Sequence, residues 1–160
     1  MTVMSGRKFE NIVLRILGEN RIMTIATLRE DGWPQATIVG YIHDGVTLFC
    51  SVARDSQKHE NIVRDPRASI AIGRRVGQGA NLRGLSMAAS VETVVDPDEE
   101  TRINQMLWEH LPDIDLFAPR GAPFVVLRAR PEVISILDTR RGVTQPVQRD
   151  WPLARARREA

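Results

Sequence analysis

The sequence predicts a mainly β protein of the α+β class, in which six to seven antiparallel strands form a closed or split barrel. Asp-Gly pairs at residues 31–32 and 44–45 separate apolar, β-branched segments, which is a strong local signal for antiparallel hairpins. Helical segments interrupt these hairpins, an arrangement that excludes a doubly wound parallel sheet. A curled sheet with helices filling its open ends satisfies both observations.

Length and composition favour one main domain. The chain has 160 residues, and 42% of them are apolar, which is enough for one substantial core. We expect the barrel and an N-terminal helix to occupy residues 1–140. Residues 141–160 should form a tail, because Arg155, Arg157 and Arg158 crowd its end and such basic runs are usually solvated.

Charge and cysteine content narrow the class of protein. The formal net charge is only +2, which is too small to predict a nucleic-acid partner. Cys50 is the single cysteine, so one chain forms no internal disulfide and a reducing cytoplasm is expected. The polar N-terminus and the lack of a long apolar run predict a soluble protein without a secretion signal or membrane span.

The first half of the chain predicts one helix followed by three strands. Apolar residues recur at helical spacing before a stop at Gly18 or Asn20, and they are Phe9, Ile12, Val13, Ile16 and Leu17. Strands are expected over 21–28, 34–43 and 47–52, because β-branched residues dominate these segments. The hairpin signals between them predict an antiparallel meander.

The second half predicts further strands around another helix. Ala68, Ile70 and Ile72 alternate in a strand over 67–73, and a loop over 74–81 without a GxGxxG pattern leads into a long strand over 85–95. Asp96 and Pro97 then begin a helix. Its buried face should contain Ile103, Met106, Leu107 and Leu111. Two last strands, 124–129 and 133–137, flank Pro131.

The corner where the strand 47–52 meets a helix over 56–65 is the best candidate for a binding site. Asp55 or Ser56 can cap the helix, and Lys58 lies in its first turn, where a cation opposes the helix dipole. Arg54, Ser56 and Lys58 together suit a phosphate. The alternative is a capping serine followed by solvent-facing charges, and spacing alone does not choose between the two.

Other chemistry has weak support in the sequence. His43, His59 and His110 lack metal-ligand spacing, so no metal site is expected. No serine lies in a GxSxG turn, and Cys50 has no local base, which favours a small core residue over a nucleophile. The sequence therefore assigns no catalytic side chain.

Two segments, 23–41 and 48–72, resemble the flavin-binding split barrels of the pyridoxamine 5′-phosphate oxidase-like superfamily. The resemblance extends over about Phe9 to Asp138. The family's Ser-x-Lys turn at the flavin phosphate corresponds to Ser56, Gln57 and Lys58. A following pattern is matched by Asn61, Ile62, Asp65, Pro66 and Arg67.

The resemblance implies an FMN site between the subunits of a homodimer. The strand backbone that lines the isoalloxazine would come from Gln35, Ala36, Thr37, Ile38 and Val39. Ser51 and Val52 would lie beside the ribityl chain, and Lys58 would neutralise the phosphate. Residues that would approach the flavin from the partner side or from the C-terminus are Arg83, Gly84, Leu85, Ser86 and Trp151.

Three departures from the family pattern argue against oxidation of pyridoxamine 5′-phosphate. Gln57 replaces an arginine before the lysine, Gln35 and Ala36 replace an arginine-led strand, and residues 149–152 lack the family's C-terminal substrate pattern. The resemblance thus predicts a flavin-dependent reductase or oxidase of a small molecule, with NADH or NADPH as a donor, and not a pyridoxamine 5′-phosphate oxidase. A deazaflavin cofactor on the same fold, or a non-catalytic flavin-binding or sensing dimer, remains an alternative.

Overall fold

A computed structural model describes residues 6–78, 81–111 and 123–139, and the backbone of 147–150. The helices in these ranges are α1 (Gly6–Gly18), α2 (Gln57–Arg64) and α3 (Pro97–His110). The strands are β1 (Ile22–Leu28), β2 (Pro34–Gly40), β3 (Ile42–Asp44), β4 (Thr47–Ala53), β5 (Arg67–Arg75), β6 (Leu82–Thr93), β7 (Phe124–Asp138) and β8 (Val147–Asp150).

The strands form one antiparallel sheet that curls into a split barrel. Its order is β2-β1-β5-β6-β7-β4-β3, and β8 pairs with β7 beside this path. The two edge strands, β2 and β3, are consecutive in the chain and are separated by Tyr41 alone. The sheet therefore curls back on itself, which confirms the predicted fold class. Among the helices in the described ranges, none is long and apolar enough to cross a membrane.

The predicted continuous strand 34–43 is wrong, because Tyr41 interrupts it and separates β2 from β3. The ring of Tyr41 is buried and its hydroxyl donates a 2.8 Å hydrogen bond to the carbonyl of Leu17. β2 before this residue pairs with β1, whereas β3 after it pairs with β4. The predicted three-strand meander is consequently also wrong, since β4 pairs with β3 and β7 and not with β2.

The two predicted strands around Pro131 are a single strand, β7. Pro131 has no N–H to donate to a sheet ladder, and such residues are tolerated at bulges. The pairing of β6 with β7 shifts register between Ala88 and Ala89, and Ala89 lies opposite Pro131. This irregularity lets the strand continue through the proline.

Two apolar clusters hold the helices on the sheet. α1 contributes Phe9, Val13, Ile16 and Leu17 to the main core inside the barrel, as its periodicity predicts. A smaller cluster lies beneath α3, where Ile103 and Leu107 pack with Phe49 and Val126. The sheet thus has α1 on its inner face, α3 against β3, β4 and β7, and α2 at the corner after β4.

Candidate cofactor site

The free edge of β2 is the first component of the site. A hydrogen-bonded pair lies at each end of the β1–β2 ladder. At one end Arg29 N–H donates to the carbonyl of Trp33, and at the other Tyr41 N–H donates to the carbonyl of Arg21. Such pairs alternate along an antiparallel ladder. Gln35, Thr37 and Val39 therefore bond to β1, while the main-chain groups of Ala36 and Ile38 point away from it. β2 has no second neighbour in the described sheet.

β4 provides the opposite side of the split. The ladder between β3 and β4 stops at the pair Ile42–Phe49, so residues 51–53 pair only with β7 among the described strands. Arg54 N–H donates to the carbonyl of Pro123 at 2.9 Å. Counted from this pair, hydrogen-bonded and non-hydrogen-bonded pairs alternate along the ladder between β4 and β7. The main-chain groups of Ser51 therefore point to the open side. Val52 bonds to β7 and buries its side chain in the core.

The N-terminus of α2 lies at the end of β4 and is capped by Ser56. The Ser56 Oγ accepts a 3.3 Å hydrogen bond from His59 N–H and donates one of 2.7 Å to the carbonyl of Ala53. Ser56 thus resolves the predicted choice of cap, and its hydroxyl proton is already committed. The backbone N–H groups of Gln57 and Lys58 are the first-turn donors left without a helical acceptor.

Lys58 is a half-buried cation without a counter-ion. Its ammonium makes no hydrogen bond or ion pair within the part of the chain that the structure describes, and burial lowers its pKa. The neighbouring thiol of Cys50 does not neutralise it, because burial raises the pKa of Cys50 to about 12 and the thiol is uncharged at neutral pH. An uncompensated cation in a partly desolvated position is costly unless an anion accompanies it.

Asn61 ties α2 to the strand that borders the split. Its side chain is fully buried, and its Nδ2 donates to Thr27 Oγ1 at 3.0 Å and to Gln35 Oε1 at 3.3 Å. Its Oδ1 accepts from Gln57 Nε2 at 3.1 Å and also from Arg64. Sequence reasoning matched Asn61 only as part of a family pattern. The sequence signal for its role in joining α2 to β1 and β2 was an amide side chain on the buried face of a short helix.

Thr37 carries an unsatisfied hydroxyl beside this network. Its Oγ1 is the one buried side-chain oxygen or nitrogen without a hydrogen-bond partner among the residues described. Buried polar groups are nearly always paired, so such an atom points to a missing partner. Thr37 lies between Gln35 and Val39 on the inward face of β2.

The three histidines have structural contacts. His59 Nδ1 lies 2.8 Å from the carbonyl of Arg54, and its Nε2 lies 3.1 Å from Thr93 Oγ1. His43 Nδ1 contacts the carbonyl of Gly45, and His110 Nδ1 contacts that of Met106. Across the described ranges, no group of side chains has the arrangement of a metal site.

The predicted site residues fall into two groups. Ser51, Val52, Ser56, Gln57 and Lys58 lie at the α2 corner. Ser86 instead lies on the outer face of the sheet, in one cross-strand row with Ala71, Thr24 and Ile38. Gln35, Thr37 and Val39 face inward, whereas Ala36 and Ile38 face outward, so β2 joins the groups. Trp151 lies outside the described residues.

A groove of about 840 Å³ runs along the outer face at the Ser86 end. It is lined in part by Ile38, Arg83, Gly84, Leu85 and Ser86, so four of the residues that the resemblance assigns to the partner's flavin border one cavity. The arrangement offers a cationic corner at one place and an apolar groove at the other.

Comparisons with known proteins agree with this architecture. The family model described as pyridoxamine 5′-phosphate oxidase matches residues 10–138. General stress protein 26 of Bacillus subtilis (strain 168) is 26% identical over 70 residues, which are 44% of this chain and 49% of that protein. The match therefore spans about half the length of this curated relative.

Two solved structures have the same fold at low sequence identity. A heme-binding protein from Mycobacterium smegmatis has a TM-score of 0.76 and 20% identity, over 97% of this chain and 62% of that one. An FAD-binding protein from Mesorhizobium loti has a TM-score of 0.71 and 21% identity, over 85% and 96% of the two chains. With a family match over most of its length and a split barrel of the corresponding topology, the chain belongs to the pyridoxamine 5′-phosphate oxidase family.

Proposed function

We propose that this protein is a homodimeric FMN-binding oxidoreductase that reduces or oxidises a small molecule. The observation that carries the proposal is the half-buried Lys58 at the N-terminus of α2, which has no partner among the described residues. It lies next to two strand edges whose main-chain groups are free within the described sheet. A cofactor with a phosphate at one end and a polar ring at the other would satisfy both features.

The phosphate would bind at α2. Lys58 offers an ammonium, and Gln57 and Lys58 offer backbone N–H groups at the positive end of the helix dipole. Ser56 would hold these donors in place through its cap, since its own hydroxyl proton goes to Ala53. Charge-assisted hydrogen bonds of this kind are about twice as strong as neutral ones.

The isoalloxazine would lie along β2. Its polar edge needs donors and acceptors, which Ala36 and Ile38 present from their main chains. The Thr37 hydroxyl is a further donor, since it has no hydrogen-bond partner among the described residues. Gln35 and Val39 would position this strand. The main-chain groups of Ser51 would border the ribityl chain, and Val52 would hold that part of β4 in the core. FMN would supply the electron transfer, and these residues would bind and orient it.

A homodimer is supported by the outer face of β1, β2, β5 and β6. Outward side chains of an exposed antiparallel sheet are normally polar or charged. Here they are mostly small or apolar along two adjacent rows, namely Ala26, Ala36, Ser69, Ala88, Thr24, Ile38, Ala71 and Ser86. Ile38 is 63% exposed in the single chain. A second copy would cover this face and bring Arg83, Gly84, Leu85 and Ser86 to its flavin, with Trp151 as a C-terminal contact.

The proposed substrate is a small molecule other than pyridoxamine 5′-phosphate. Gln57 stands where the family pattern has an arginine, and Gln35 lies in a strand that begins with arginine in that pattern. Both side chains hydrogen-bond to Asn61. They supply no charge to a substrate phosphate. NADH or NADPH would serve as electron donor in a cytoplasmic protein, and a deazaflavin is the alternative cofactor for the same cleft.

The visible spectrum of the purified protein tests the cofactor. We expect FMN to bind on addition, with its absorbance perturbed and its fluorescence changed, and the bound flavin to be reduced by NADH or NADPH. Bound flavin that no donor or oxygen turns over would favour the sensing dimer. Failure to bind either FMN or a deazaflavin would overturn the proposal.

Heme is the competing cofactor, because one structural neighbour binds it. Heme iron usually takes an axial ligand such as histidine. His59, the histidine on α2, has both ring nitrogens in hydrogen bonds, which favours flavin at this corner. A Soret band on heme addition, in a protein that ignores FMN, would reverse this preference.

Sedimentation velocity tests the homodimer. Ala71→Glu places a charge in the middle of the outer face and should give monomers that bind FMN poorly. Val63→Glu is the matched control, because Val63 is exposed on α2 away from that face. A wild-type monomer, or a dimer unaffected by Ala71→Glu, would contradict the proposed interface.

A further inference from the structure

A chain of two hydrogen bonds joins β2 to the first turn of α2 through Asn61. The bond from Asn61 Nδ2 to Gln35 Oε1, at 3.3 Å, is the one side-chain hydrogen bond between α2 and β2 among the described residues. On the helix side, Asn61 Oδ1 accepts at 3.1 Å from Nε2 of Gln57, the first residue of α2. Asn61 therefore connects the strand proposed for the flavin ring with the turn proposed for its phosphate.

The amide of Asn61 has a fixed orientation and no unused hydrogen-bonding capacity. Its Oδ1 also accepts from Arg64 at 3.3 Å, and its Nδ2 also donates to Thr27 Oγ1 at 3.0 Å. A guanidinium can only donate, so Arg64 determines which end of the amide is the oxygen. Both N–H hydrogens and both oxygen lone pairs are thus committed within a fully buried side chain, which cannot turn without losing a bond.

The other polar contacts of the α2 N-terminus lead to β4 and β6. The Ser56 hydroxyl donates to the carbonyl at the end of β4. The ring of His59 contacts the carbonyl of Arg54 and the hydroxyl of Thr93, the last residue of β6. None of these contacts involves β2, so the separation between α2 and β2 depends on Asn61.

This separation matters for a ligand that is held at both ends. When one end is bound, the other end is at a high effective concentration near its own contacts, provided that those contacts are held at the right distance. A site that is not preorganised loses part of this gain to the cost of ordering it. For FMN, the second set of contacts would be the Lys58 ammonium and the first-turn N–H groups.

We infer that Asn61 is a positioning residue that couples the two ends of the cofactor site. The gain in flavin affinity from the phosphate then depends on the chain Gln35–Asn61–Gln57. This inference rests on the proposed function, and it assigns Asn61 no contact with the cofactor, because its amide is consumed by the protein.

Fluorescence titrations with FMN and with riboflavin, which lacks the phosphate, test the coupling through the ratio of the two dissociation constants. Wild-type protein should favour FMN at least about tenfold, because the phosphate adds charge-assisted contacts. Gln35→Met breaks the chain on the strand side, and Gln57→Met breaks it on the helix side but keeps the backbone N–H. Each should reduce the ratio about fivefold, as the loss of one positioning hydrogen bond allows. Gln105→Met, at an exposed amide on α3, is the control and should leave the ratio unchanged.

The double variant Gln35→Met/Gln57→Met separates coupling from two independent contacts. If Asn61 couples the ends, the second change adds little, because the first has already broken the chain. Multiplied effects would mean that each glutamine contacts the flavin directly, and they would overturn the inference. Both single variants keep the bonds of Asn61 to Thr27 and Arg64, and their thermal midpoints check that they fold.

A purely structural role for Asn61 predicts a different result. FMN and riboflavin would then weaken by the same factor in the variants, and the ratio would stay at its wild-type value. That outcome would overturn the coupling and leave the flavin function standing. A wild-type protein that binds neither flavin would refute the proposed function, and the coupling with it.

Discussion

α2 and α3 dock on the sheet by different chemistry. At α3, Arg128 of β7 is 14% exposed, pairs with Glu92 at 2.8 Å and with Glu99 of the helix, and lies over the ring of Phe49. At α2, the neutral amide of Asn61 makes the buried polar contacts, and the half-buried Lys58 has no partner among the described residues.

The difference separates a structural cation from a candidate functional one. Arg128 is enclosed by two carboxylates, so no ligand is needed to offset the cost of its burial. Lys58 has no carboxylate partner within the described ranges, and its burial lowers its pKa. A protein gains nothing in stability from such a lysine. Under the proposed function, the FMN phosphate would account for its position.

The largest expected effect is that of Asn61→Ala on stability. The change leaves Thr27 and Gln35 without their donor inside the protein, and each orphaned group costs about 1 to 3 kcal/mol. We expect the free energy of unfolding in urea to fall by about 3 kcal/mol. Gln105→Ala is the control, because the Gln105 amide is exposed on α3 and bonds only to Glu109 there. Equal losses in both variants would contradict the central role of Asn61.

Lys58→Met should weaken FMN binding by about 1.5 to 3 kcal/mol, since it removes a charge-assisted contact to the phosphate. The free energy of unfolding of this variant without cofactor should not fall, because Lys58 has no partner among the residues that the structure describes. Fluorescence titration and urea unfolding measure the two quantities. Arg67→Met, at an exposed ion pair, is the control for flavin affinity. Unchanged FMN affinity would remove Lys58 from the phosphate site.

Arg128→Met should show the reverse pattern, with stability reduced and flavin affinity unchanged. The loss should be about 1 kcal/mol, because the ion pairs are only partly buried and Glu92 keeps Arg130 as a partner. Arg102→Met is the control, since Arg102 is 56% exposed and lies 4.0 Å from Glu99. If the two variants lose the same stability, α3 does not depend on the buried pair.

The smallest effect concerns the end of α2 and acid pH. Hydrogen bonds from Arg67 lower the pKa of Asp65 to about 2. A carboxyl whose pKa is lower in the folded than in the unfolded chain stabilises the folded state at pH values above its unfolded pKa, which is near 4. This stabilisation is lost as the pH falls toward 2. Asp65→Asn should make the free energy of unfolding less pH-dependent in that window than it is in the wild type, as urea unfolding at a series of pH values would measure. A curve identical to wild type would contradict the shift.

The sequence by itself determined the local elements. Asp-Gly turns marked both hairpins, because Gly32 and Gly45 adopt positive φ angles of 83° and 55° that favour glycine. Apolar spacing identified the buried face of α1, and Asp96 with Pro97 identified the start of α3. Each of these signals depends on residues a few positions apart, so it is readable along the chain. The α2 corner was found for the same reason, with Ser56 as its cap.

Only the tertiary structure decided which distant groups meet. β4 pairs with β7, far along the chain, and the strand after Pro34 breaks at Tyr41, which no local pattern encodes. Lys58 and Arg128 look alike as basic residues in the sequence, and only folding gives one of them two carboxylates and the other a neutral thiol. The outer groove likewise exists only after β1, β2, β5, β6 and β7 align. Charge compensation and cavity shape depend on contacts between remote segments, whereas local periodicity reports only each segment's own preference.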